Sequence, residues 1–276
     1  KGKVRKVRSC LNKMVMTNRK AETFKLRASG LAVPALALLM VPFVTLLFLT
    51  PWSDFHLAYG DSHAVAVSLG LSLVSVGLII LLGLPVAFWL AKTASRWRNV
   101  VEVLVLIPLL TPPLAMGILL VSVYGPYGSV GEILSAIGMT LNNNAPAFVL
   151  AQIYGALPYF ILSARGALEA VPKDVEEAGK TLGASPFQVF IRLTLPLASR
   201  GIAAGVAIAW VRAIGEFGIV MVFCYFPQGI PVKMFINLQN DGVTSVYSLL
   251  WILLIVTLPL PMWLLLRTKK QAIHYS

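Results

Sequence analysis

Charge is scarce in this chain. Of its 276 residues, 12% are Asp, Glu, Lys or Arg and 58% are hydrophobic. Soluble domains carry roughly 25% charged residues, so too little polar surface is available for a water-facing shell and much of the surface must face lipid. Groups for covalent or metal chemistry are equally sparse. The two cysteines, Cys10 and Cys224, lie far apart, one in a basic tail and one in an apolar run, and read as free thiols rather than a disulfide framework. His56, His63 and His274 have no metal-ligand spacing with an acid or thiol. No Gly-x-x-x-x-Gly-Lys loop is present, which excludes ATP binding by that route. No nucleophile and base stand together. No catalytic residue, metal ligand or bound cofactor is expected on this chain, and an intramembrane enzyme is a poor fit.

What the chain has is long apolar runs. A membrane-crossing helix needs about 20 predominantly apolar residues. Stretches free of Asp, Glu, Lys and Arg lie between Arg27 and Asp54, Asp61 and Lys92, Glu102 and Glu132, Glu132 and Arg165, and Asp241 and Arg267. A further run, 201–226, is apolar except for Arg212 and Glu216. The expected spans are 31–50, 65–91, 100–124, 147–165, 201–226 and 248–266, an all-α integral membrane protein of six transmembrane helices. No cleavable signal pattern follows the first apolar run, which reads as a retained span.

The formal net charge of +12 has a topological explanation. Of 23 Lys and Arg, 21 fall in the tail before the first span, the 92–99 loop, the 165–200 segment and the C-terminal tail. The positive-inside rule assigns all four to the cytoplasm, so both termini are expected there and nucleic acid is not needed as a partner. The basic tail 1–29 reads as a disordered topogenic segment. A short interfacial helix through Leu11, Met14 and Val15, touching anionic lipid, is the competing reading. The outer loops 51–64, 125–146 and 227–247 are short and rich in Gly, Pro and Asn, and none is large enough to bind a solute alone. The resulting division is a tail (1–29), a six-span domain (30–267) with a cytoplasmic loop at 166–200, and a C-terminal tail (268–276).

The loop carries the most information. Pro172 suits a helix start, Asp174, Glu176 and Glu177 suit the first turns, and Lys180 suits the end. Gly183 can close the helix in the left-handed conformation. The pattern predicts a polar helix over 173–182. Ser185-Pro186 reads as a cap and first turn of a second helix, with Phe187, Phe190 and Ile191 at amphipathic spacing, ending before Pro196. Two short helices at right angles to the spans would form a shelf, on which Ala178 and Gly179 allow close approach by a partner. The run Glu177-Ala178-Gly179, then Gly183, then Leu193-Thr194-Leu195-Pro196 resembles the signature loop of permease subunits of ATP-binding-cassette importers: Glu-Ala-Ala, three residues, Gly, nine residues, Ile-x-Leu-Pro. This chain departs at Gly179, where the pattern has Ala, and at Leu193, where it has Ile. The resemblance implies a type I importer permease fold and docking of this loop on a separate ATPase, which holds the ATP and Mg. Asp174, Glu176, Glu177, Ala178, Gly179, Gly183, Ala184, Leu195 and Pro196 would form the coupling loop.

Arg212 and Glu216 are spaced to pair on one face of the fifth span. Burying either alone costs several kcal/mol, so the pair reads either as a pathway or gate element or as a structural bridge. Pro108, Pro112 and Pro113 predict a kink in span three, for a gate or for packing. The run Arg212-Ala-Ile-Gly-Glu216-Phe-Gly218, the run Ile107-Pro108-Leu109-Leu110-Thr111-Pro112-Pro113, and Tyr124-Gly125-Pro126-Tyr127-Gly128 are similar to permeases of sulfate, molybdate and tungstate importers. Cys224-Tyr225-Phe226-Pro227 leans toward the molybdate and tungstate branch. The resemblance implies a pathway for a tetrahedral oxyanion, two copies of this chain, two ATPases and an extracytoplasmic binding protein. A sulfate or thiosulfate permease is the alternative within the family. A secondary transporter is the alternative outside it, and would need coupling residues in several spans, whereas charges lie well inside the fifth alone.

Overall fold

The computed structural model describes Gly30 and residues 33–263, all of whose regular structure is helical. The tail 1–29 and the C-terminal tail 268–276 lie outside the described residues. The chain divides into two compact units, one up to Phe55 and one from His56. The first contains α1 (Val33–Leu49), an apolar helix shorter than the spans that follow. Its end is closed by the Thr50 hydroxyl, which donates to the Leu46 carbonyl at 2.6 Å, and by Trp52 Nε1, which donates to the Leu47 carbonyl at 3.0 Å.

The second unit begins with α2 (Asp61–Lys92), 32 residues long. At 1.5 Å per residue this is about 48 Å, more than the roughly 30 Å hydrocarbon core, so α2 projects beyond the lipid. Its start is fixed by Asp61, fully buried, which accepts from the Ala58 N–H at 2.9 Å and from Asn237 Nδ2 at 3.0 Å. Next come α3 (Trp97–Leu110), α4 (Pro113–Tyr124), α5 (Ser129–Ala136) and α6 (Ala145–Glu169). Asn144 caps α6 by accepting from the Ala147 N–H at 3.0 Å. The remainder is α7 (Lys173–Thr181), α8 (Pro186–Ile214), α9 (Gly218–Phe223), α10 (Ile230–Asp241) and α11 (Val243–Trp263).

Helix α6 is the hub. In its most apolar stretch 61% is buried, against 28% in α2, 33% in α8 and 22% in α11, which leaves most of those three uncovered by this chain. One core packs Ile79, Ala87 and Leu90 of α2 and Trp210 and Ile214 of α8 against Phe160, Ala164 and Leu168 of α6. A second packs Met116 and Leu120 of α4, Val220 and Phe223 of α9 and Val232 of α10 against Phe148 and Ala151 of the same helix.

Four sequence expectations are corrected. The span placed at 100–124 is two helices, α3 and α4, bent by 107°. The helical region is disfavoured for a residue before proline, and two prolines in succession add the penalty twice: Thr111 has ψ 127° and Pro112 has ψ 138°. The helix starting at Pro186 does not stop before Pro196 but runs on to Ile214. A π turn at Phe190–Thr194 lets the Leu195 N–H reach back to the Phe190 carbonyl, five residues away. Pro196 then falls in the first turn of the following α-helical stretch, where no N–H is needed. There is therefore one separate short helix, α7, rather than a shelf of two. The span placed at 201–226 is interrupted, since α8 ends at Ile214 and α9 begins at Gly218. Lastly, the outer loops 125–146 and 227–247 contain α5 and α10.

Candidate functional site

Helix α7 forms for the local reasons visible in its sequence. Asp174 and Glu176 lie in the first turn and Lys180 in the last. Gly183 has φ +84°, its N–H donates to the Lys180 carbonyl, and the Ala184 N–H donates to the Gly179 carbonyl at 3.1 Å. This is a left-handed closure. Ser185 and Gln188 cap each other reciprocally: Ser185 Oγ accepts from the Gln188 N–H and Gln188 Oε1 from the Ser185 N–H.

The candidate loop residues divide by exposure. Asp174, Glu177, Ala178 and Gly183 are exposed, as is Pro196, while Ala184 and Leu195 are half-buried. Beside the first group Leu182 is 88% exposed and Phe187 72%, leaving two large apolar side chains uncovered next to the acids. Of the three apolar residues expected on one face, Phe187 and Ile191 point outward, whereas Phe190 packs on Phe88 of α2 with ring centroids 4.4 Å apart. Gly179 faces inward. A Cβ there would sit 2.6 Å from Leu193 Cδ1, so the close approach it permits is to this chain's own α8. The two departures from the signature pattern, Gly179 and Leu193, thus touch each other.

Glu176 ties α7 to the spans. It accepts from Lys92 Nζ, the last residue of α2, at 2.7 Å and from the Thr194 hydroxyl, in the π turn of α8, at 2.7 Å. Burial acts to raise its carboxyl, but the bonds from Lys92 and Thr194 and the charges of Lys92 and Lys180 outweigh it, holding Glu176 below the usual carboxylate range. Nearby, Arg165 of α6 pairs with Glu102 of α3 at 2.8 Å and with Glu169, which also pairs with Arg98.

The second cluster surrounds the interruption between α8 and α9. Arg212 and Glu216 do pair, Nη2 to Oε2 at 2.9 Å, but Glu216 lies past the helix end rather than on its face. Its other oxygen, Oε1, accepts from the Ile219 N–H at 3.1 Å and so starts α9. The pair is lopsided: the Glu216 side chain is 1% exposed and the Arg212 side chain 33%. One face of α6 clasps this turn. Gln152 Nε2 donates to the Ala213 carbonyl at 2.9 Å and to Ser72 Oγ at 2.8 Å, while its Oε1 accepts from Ser75 Oγ at 2.7 Å. Gly155 leaves room for Glu216, because a Cβ would sit 2.7 Å from Oε2. Tyr159 places its ring 5.2 Å from the Arg212 guanidinium carbon. Arg212 Nε is buried without a hydrogen-bond partner.

The two interruptions meet. A Cβ on Gly218 would sit 2.6 Å from Pro113 Cβ, and one on Gly117 would sit 2.9 Å from Val222 Cβ. The bend at Pro112 and Pro113 therefore packs on the restart at Gly218, bringing the four expected pathway residues into one neighbourhood. Gln152, Tyr159, Lys92 and Thr194 were not singled out from the sequence. For Gln152 the sequence carries a signal, a lone amide in the apolar run 145–161, which is weaker than a charge in the same place.

Residues 79–267 match the family described as binding-protein-dependent transport system inner membrane component. The chain belongs to this family. Membership agrees with the several apolar helices long enough to cross a membrane. The chain is similar to the molybdenum transport system permease protein ModB of Mycobacterium bovis, 31% identical over 234 residues, 82% of this chain and 89% of the relative. It is also similar to a probable molybdenum ABC transporter permease protein of Haloferax volcanii, 36% identical over 171 residues, 62% of each chain. Among solved structures it resembles a chain of a bacterial alginate ABC transporter in complex with an alginate pentasaccharide-bound periplasmic protein. The TM-score is 0.66 at 18% identity, covering 85% of this chain and 91% of that one. The fold is thus the type I importer permease fold that the signature loop implies.

Proposed function

We propose that this chain is the membrane-spanning permease of an importer for molybdate or tungstate, driven by ATPase subunits on separate chains. The observation that carries the reading is the likeness to molybdenum permeases along most of the chain. Those names favour molybdate over sulfate. The distribution of Lys and Arg supports an orientation with both termini and α7 in the cytoplasm.

In this orientation α7 presents Asp174, Glu177 and Ala178 with Leu182 and Phe187 to the cytoplasm. Exposed apolar side chains on a short polar helix and the turn after it suit a groove on another protein, and we assign this surface to the ATPase, which holds ATP and Mg. A binding protein delivers the oxyanion to the outer face, and a second copy of this chain completes the pathway. Arg212, Glu216, Pro112 and Pro113 line the gate. The lopsided burial of the pair matters here. Glu216 is turned to Ile219 and Arg212 inside the protein, while the guanidinium keeps an exposed part, so a passing dianion meets the positive end of the pair first.

The test is uptake of radiolabelled molybdate by vesicles holding this chain with its ATPase and binding protein. Uptake is expected to be ATP-dependent and competed by tungstate more strongly than by sulfate. Glu177→Arg is expected to abolish it while the protein remains folded in the membrane. Wild-type uptake by that variant would remove the coupling role from α7, and stronger competition by sulfate would move the substrate to that anion.

A further inference from the structure

The Lys92–Glu176 pair stands where three elements join. Glu176 is on the inward side of α7, while the next residue, Glu177, is exposed. Its partners are the terminal residue of α2 and the terminal residue of the π turn in α8. Lys92 and Glu176 side chains are 26% and 14% exposed, so the contact is largely shielded from water and salt. A displacement of α7 is therefore felt by two spans at once, through an ion pair on α2 and a hydroxyl on α8.

The far end of this connection is also fixed. Helix α2 is continuous from Lys92 back to Ser75 and Ser72. Pro85 lies between them, and α6 braces that stretch, since a Cβ on Gly83 would sit 2.6 Å from Phe160 Cδ1. Ser72 and Ser75 hold Gln152, which holds the Ala213 carbonyl one residue after Arg212. Seventeen residues of helix span about 25 Å, which joins the membrane-side face of α7 to the interruption that carries Arg212 and Glu216.

We infer that Lys92 is a positioning residue for transport: it makes α2 the rod that carries motion of α7 to the Arg212–Glu216 turn, with Gln152 as the clasp at the other end. This deepens the importer reading and rests on it. The wild-type complex reports on that reading, and variants compared with wild type report on the rod.

The experiment uses the full complex of permease, ATPase and binding protein in vesicles, reading molybdate taken up per ATP hydrolysed. Lys92→Met is expected to keep the ATPase bound and hydrolysing, yet to lower uptake per ATP by about five-fold or more. Gln152→Leu is expected to do the same with the α7 end untouched. The exchange Lys92→Glu with Glu176→Lys is expected to restore the ratio, since the Thr194 hydroxyl oxygen can accept from the new lysine. Should Lys92→Met fail to accumulate, Lys92→Gln carries the same measurement, as it stays polar at the helix end and loses charge. An unchanged uptake per ATP in these variants overturns the proposal. So does loss of ATPase binding, which would make the pair a support for the docking surface alone.

Discussion

The α7 region and the Arg212–Glu216 turn use polar groups in opposite ways. Around the turn nearly every polar atom is spent inside the protein: Glu216 on Arg212 and Ile219, Gln152 on two serines and a carbonyl. On α7 the inward residue Glu176 is spent, while Asp174, Glu177 and the neighbouring Leu182 and Phe187 are left facing out. A polar group in a low-dielectric interior must be satisfied at home, whereas a docking surface must keep its groups unused until a partner arrives. Substitutions at the turn should therefore cost stability as well as coupling, and substitutions on the outer face of α7 should cost coupling alone.

The largest effect is expected for Arg212→Ala, which strands a buried carboxylate. Thermal unfolding in detergent should show a loss on the order of 3 kcal/mol, smaller when Glu216→Ala is added. Equal losses in the single and double variants would break the contrast, since the turn would then not depend on its pair. Next comes Gly155→Ala, which pushes a methyl group against Glu216 Oε2 and should cost about 1–3 kcal/mol by the same assay. The smallest is Gly179→Ala, where the obstacle is the end of a leucine side chain that can turn aside. A cost below about 1.5 kcal/mol is expected, relieved by Leu193→Val. A larger cost that Leu193→Val does not relieve would show that α7 is as tightly built as the turn.

The two regions also differ in how far the sequence discloses them. The bounds of α7, 173–181 against an expected 173–182, follow from signals within one turn of its ends: Pro172 and Gly183. The Arg212–Glu216 pairing was likewise legible, because four residues separate the partners. Long-range packing decides the rest. Nothing local says that a π turn will carry a helix through Pro196. The consecutive prolines at 112 and 113 announce a kink, but a bend of 107° has to be matched by the interruption at Gly215–Phe217, about a hundred residues later. Helix α10 was hidden differently. Gly229, Pro231 and Gly242 are the start and stop residues of a helix, and they read as loop composition when only their abundance is considered.

The closeness in sequence of Arg212 and Glu216 also bears on how this segment enters the membrane during synthesis. An arginine at the centre of a nascent span opposes insertion by roughly 2.5–3.5 kcal/mol. Its counter-charge is made four residues later, so the segment can be neutralised without drawing a carboxylate from another span. Had the carboxylate been on α2 or α6, the fifth span would have had to wait for its neighbours to assemble around it. The cell's insertion machinery is thus offered a segment that carries its own counter-ion.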